Sequence, residues 1–77
     1  MNNVKSMRVI YRDIDVYNGE VIRGYAERKF NPPLKDVAFE KLMNEAFASG
    51  AMVIVEDDLS LLIPTTNIIA IEINHKE

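Results

Sequence analysis

Between Asn31-Pro32-Pro33 and Gly50 lies the one segment of this 77-residue chain whose apolar residues recur at helical spacing. Proline supplies the fixed φ of a first helical turn and cannot continue a strand ladder. Glycine takes the left-handed conformation that closes a helix at its other end. At about 100° per residue, Ala38, Phe39, Leu42, Met43 and Ala46 fall within an arc of ~140°, a stripe wide enough to face a core. Asp36, Glu40, Lys41, Asn44 and Glu45 lie mostly opposite, Phe47 flanks the stripe and Val37 falls on the polar side. On either side of residues 34–49 the pattern is that of strands. The helix stripe therefore has only a sheet on which to be buried.

Residues 7–17 (MRVIYRDIDVY) are β-branched and aromatic, and strict alternation puts Met7, Val9 and Tyr11 on one face. Ile10, Ile14 and Val16 fall on the other, a change of phase that predicts a bulge near Arg12–Asp13 or a strand buried on both sides. Asn18-Gly19 is a strong hairpin signal, because both residues tolerate the positive φ of a two-residue turn. Such a turn sets Val16 opposite Val21 and Tyr17 opposite Glu20, with residues 20–30 as the return strand and Gly24 as a bend. Residues 51–55 (AMVIV) and 59–63 (LSLLI) flank Glu56-Asp57-Asp58 and read as a second hairpin. Pro64-Thr65-Thr66-Asn67 is turn chemistry, and residues 68–73 (IIAIEI) close the chain's pattern as a last strand. The expectation is one α+β domain over residues 1–77, order β-β-α-β-β-β, with a single helix packed on one face of an antiparallel sheet. Its parts are a hairpin over 7–30, a helix over 34–49 and a three-stranded segment over 51–73.

The chain has no cysteine, no tryptophan and a single histidine, His75, in an expected frayed tail. Nucleophilic catalysis, zinc ligation and proton transfer near neutral pH draw heavily on those side chains. No catalytic residue, cofactor or metal is therefore expected, and the chain reads as a non-enzyme. Asp13 and Asp15 share a strand face, but a chain of 8.8 kDa has little room for a cleft around them. Glu56, Asp57 and Asp58 are adjacent in a tight turn and lack the alternating spacing of a calcium loop. No stretch approaches the ~20 apolar residues of a membrane span, and the first residues lack the apolar run of a signal peptide. A cytoplasmic location without a membrane is the expectation, which the missing cysteines fit.

What remains is binding. Residues 1–30 carry six cations against four anions, whereas residues 31–77 carry three against eight, so a net charge of −3 conceals a basic and an acidic part. Glu56, Asp57, Asp58 and Glu72 are the candidate contacts to a basic partner protein. Arg23, Tyr25, Arg28, Lys29 and Phe30 interleave cations and aromatics as single-strand binders do, with Arg23, Tyr25 and Lys29 on one strand face and Arg28 and Phe30 on the other. They are the alternative, nucleic-acid contacts. This reading is disfavoured, because few cations are available and the acidic part repels a polyanion. An apolar fraction of 48% exceeds what so small a core hides and predicts a homodimer, with an unpaired strand edge or the flank holding Val37 and Phe47 as its interface. A third reading is an assembly subunit that adds a strand edge to a larger particle.

In the opening MNNVKSMRVIYRDIDVYNGE and the closing LSLLIPTTNIIAIEI the chain resembles the small early or accessory proteins of phages of Gram-positive bacteria. The resemblance is one of type over the whole chain and transfers no residue roles. It implies a protein of the host cytoplasm that binds and modulates or inhibits a host protein. Some proteins of that type act as acidic mimics of DNA against a DNA-binding protein, which here calls for a dimer aligning two acidic parts.

Overall fold

The computed structural model describes residues 3–14 and 18–76. It is an α+β fold of five strands and one helix: β1 (Asn3–Ile14), β2 (Val21–Lys35), α1 (Asp36–Ser49), β3 (Ala51–Val55), β4 (Ser60–Pro64) and β5 (Ile68–Lys76). A single 3₁₀ turn, Thr65–Asn67, leads into β5. The strands form two antiparallel sheets, one in the order β2-β1-β5 and one of β3 with β4. The element order is the expected one. Within residues 51–73, β3 and β4 pair with each other while β5 crosses to the free edge of β1.

Alternation explains the inner layer. Met7 and Val9 of β1, with Ala26 and Phe30 of β2, turn one face of the larger sheet inward, and the irregularity between Val4 and Ser6 brings Val4 into the same layer. Met52 and Ile54 of β3 and Ile63 of β4 meet them from the smaller sheet, and Phe39 enters from the helix. The rings of Phe30 and Phe39 meet edge to face with centroids 6.1 Å apart, a favoured aromatic geometry. Leu42, Met43 and Ala46 pack at the margin, so four of the five stripe residues face the core. Ala38 does not: it is exposed, because Phe39 alone of the first turn reaches the sheet.

The helix ends as its sequence demands. Gly50 adopts φ 84° and donates its N–H to the Ala46 carbonyl, which also accepts from the Ser49 hydroxyl. Its start differs from expectation. The prolines do not end β2, which continues to Lys35, so the helix begins at Asp36. Val4 pairs with Leu34 and Ser6 with Lys29, so Phe30 to Pro33 bulge out opposite Lys5 alone. Prolines are tolerated there because a bulge owes the ladder no N–H. The Asn31-Pro32 peptide bond is cis.

The bulge expected near Arg12–Asp13 is likewise displaced. Pairing of β1 with β2 runs unbroken from Ser6–Lys29 to Ile14–Val21, and the irregularities lie at Val4/Ser6 and, towards β5, at Ile10/Tyr11. This register puts Val21 opposite Ile14, where a two-residue turn would have required Val16. Gly19 has φ 67°, but no non-glycine among the described residues has positive φ, so Asn18 does not complete the expected turn. Val16 and Tyr17 lie outside the described residues, as does Asp15.

Gly24 is no bend either. It pairs with Tyr11, and a Cβ there would sit 2.8–2.9 Å from the Tyr11 ring and hydroxyl. Glycine leaves room for that ring to lie across β2. His75 is not frayed but sits in the ladder opposite Val4.

Candidate functional site

Two surfaces of different chemistry emerge. The first is the outside of the β3–β4 hairpin. Met52 and Ile54 face inward, so alternation turns Val53 and Val55 outward, and Leu62, the partner of Val53, follows at 66% exposure. Leu59, although exposed, has the phase of Leu61 and Ile63 and lies on the other side of the hairpin, beside Ile54 and Tyr11. At the tip Glu56 and Leu59 exchange backbone hydrogen bonds of 2.7 and 3.3 Å, leaving Asp57 and Asp58 as the two turn residues. All three carboxylates are exposed. An apolar face thus borders an acidic rim, the arrangement of a protein-binding patch. Beside it, a groove of about 300 Å³ runs between α1 and β3, with Met7, Met43 and Met52 among its walls and Val53 at its lip. Thioether side chains suit such a groove because they adapt to what enters it.

The second surface is the open face of the larger sheet. Opposite Met7 and Val9, alternation along β1 places Ser6, Arg8, Ile10 and Arg12. β2 contributes Arg23, Tyr25, Glu27 and Lys29, and β5 adds Ala70, Glu72 and Asn74. Arg8 pairs in register with Glu27 on one side and Glu72 on the other, lies 3.5 Å from the Glu72 carboxylate and stacks over the Tyr25 ring at 5.3 Å. Asn74 donates to the hydroxyl of buried Ser6.

The expected acidic contacts are therefore divided. Glu56, Asp57 and Asp58 share the hairpin tip, while Glu72 belongs to the other sheet and faces Arg8. The expected basic contacts divide too. Arg23, Tyr25 and Lys29 share the open face, whereas Arg28 pairs with Met7 on the inward side and covers the Phe30 ring at 5.4 Å. Arg8 and Arg12 were missed by a reading confined to one strand. The alternation of residues 7–13 held the signal for them, but only the strand pairing brings them to the same face. Val37 and Phe47, at 80% and 50% exposure, leave helix surface uncovered, about 80° apart around its axis.

Among the described residues, no group of three or more His, Cys, Asp or Glu is placed to hold a metal ion, and no helix is long and apolar enough to cross a membrane. Comparison with known protein families, with curated proteins and with solved structures finds no match for the chain.

Proposed function

We propose that this chain is a non-enzymatic binding protein of the phage-accessory type, which engages a basic-rimmed host protein through the outer face of the β3–β4 hairpin. The observation that carries this reading is the outward row of Val53, Val55 and Leu62, which runs to the hairpin tip that bears Glu56, Asp57 and Asp58. Burying each of those side chains is worth ~1 kcal/mol, given that roughly half of each is already covered. The acidic rim raises the rate of encounter with a basic surface and loses that effect as salt shortens the Debye length. A host DNA-binding protein fits this chemistry. Mimicry of the DNA itself gains less support, since Glu72 faces Arg8 and only one short acidic cluster remains. Homodimerisation belongs on the helix flank of Val37 and Phe47, which leaves the hairpin free for the partner.

The test is affinity capture from a Gram-positive host lysate, followed by reconstitution with the captured protein. The expected result is one stoichiometric partner, lost with Leu62→Asp and bound more slowly at low salt by the E56Q/D57N/D58N variant. Equal binding by both variants, or no partner at all, defeats the assignment.

A further inference from the structure

The open sheet face carries a charge arrangement that folding alone does not favour. Arg12 and Arg23 are directly paired across β1 and β2, both exposed, with their side chains on the same face. Like charges so placed repel, at a separation of roughly 5 Å between their Cβ atoms. The pairing of β1 with β5 stops at Tyr11–Ile68, so no third strand brings a carboxylate to this row. Arg8, two rows away on the same face, is instead flanked by Glu27 and Glu72. Among the described residues, Arg12 and Arg23 thus form a row of positive charge with no carboxylate paired into it. The neighbouring row holds Ile10 and Tyr25, a residue 67% exposed. Arg8 stacks on the Tyr25 ring, and Lys29 lies on the same face of β2 beyond Glu27.

We propose that Arg12, Arg23 and Tyr25 form a binding site for single-stranded nucleic acid, with both guanidiniums on one phosphate and the tyrosine ring stacked against an adjoining base. A phosphate between the two arginines replaces their repulsion with two charge-assisted contacts. An aromatic ring on an open strand face is a stacking platform for bases that a duplex would keep paired. The site is separate from the hairpin face, so each is tested without the other.

Fluorescence anisotropy of labelled single-stranded DNA and RNA dodecamers at ~50 mM salt gives the electrostatic attraction its best chance. Binding is expected, with the R12Q/R23Q variant losing it at least tenfold and showing a log–log salt slope shallower by about 0.7, the value for one phosphate of a single strand. Tyr25→Leu loses about tenfold, in keeping with loss of one stacked base. Leu62→Asp binds as the parent does. Thermal melting guards against a folding artefact, since R12Q/R23Q relieves repulsion and melts no lower than the parent. No binding at ~50 mM salt, or unaltered binding by R12Q/R23Q, overturns the proposal. Equal affinity for a duplex of the same length also overturns it. So does displacement by polyglutamate as effective as by oligonucleotide with Tyr25→Leu unaffected, which makes an acidic peptide the ligand.

Discussion

Tyr11 and Gly24 form a pair in which the absence of one side chain is the seat of the other. A methyl group on Gly24 meets the Tyr11 ring at under 3 Å, so Gly24→Ala forces the ring off β2. The expected cost is about 1–2 kcal/mol, typical of overpacking. In a Tyr11→Ala background the same substitution should instead stabilise by ~0.5–1 kcal/mol, because alanine is the better strand residue once the space is empty. A double-mutant cycle by urea denaturation measures both, and equal effects in the two backgrounds would remove the ring as the cause. Sequence identified the glycine but not its reason. Gly24 looks like a bend until the register sets Tyr11 opposite it, and register depends on a turn whose length the Asn18-Gly19 pair did not reveal. Arg12 and Arg23 escaped notice as a pair on the same ground.

Helix α1 was the most legible element, because its period and its terminal Gly50 are local signals. Phe39 is buried, whereas Leu42 lies at the core margin. Phe39→Ala should therefore cost ~3–5 kcal/mol and Leu42→Ala near the lower end of the ~2–5 kcal/mol range for such truncations. Urea unfolding of the two variants reads the order directly, and a larger loss at Leu42 would mean that the helix is rolled about its axis. The N-terminal boundary was less legible. Pro32 and Pro33 exclude regular pairing where they stand, but nothing local shows that Leu34 and Lys35 resume it with Val4 and Asn3. The hairpin of β3 and β4 was visible as two apolar runs around three acids. That it forms a sheet of its own, with one apolar face outward, follows from β5 pairing elsewhere.

At the scale of the molecule, the chain extends 46 × 24 × 21 Å with a radius of gyration of 13.5 Å. A compact domain of this length has about 11.5 Å. The excess follows from β2, whose 15 residues span roughly 50 Å when extended. The core occupies only part of that length, and Val21 and Ile22 lie exposed beyond it. A small core with apolar surface left over is a reason to associate. Light scattering is expected to give twice the 8.8 kDa chain mass and to give the single chain mass for Phe47→Glu. A parent protein already at the single mass would exclude the helix flank as an interface at the concentration used.

The middle strand of the larger sheet is β1, and Asn3 pairs there with both Lys35 and Lys76. During synthesis β1 emerges before either of its neighbours, and β5 emerges after the other four strands. Its second edge stays open until β5 has emerged behind β2, the helix and the β3–β4 hairpin. Joining strands so far apart along the chain is the slow kind of folding step. In the interval, the nascent chain offers an unfilled strand position to any extended segment nearby.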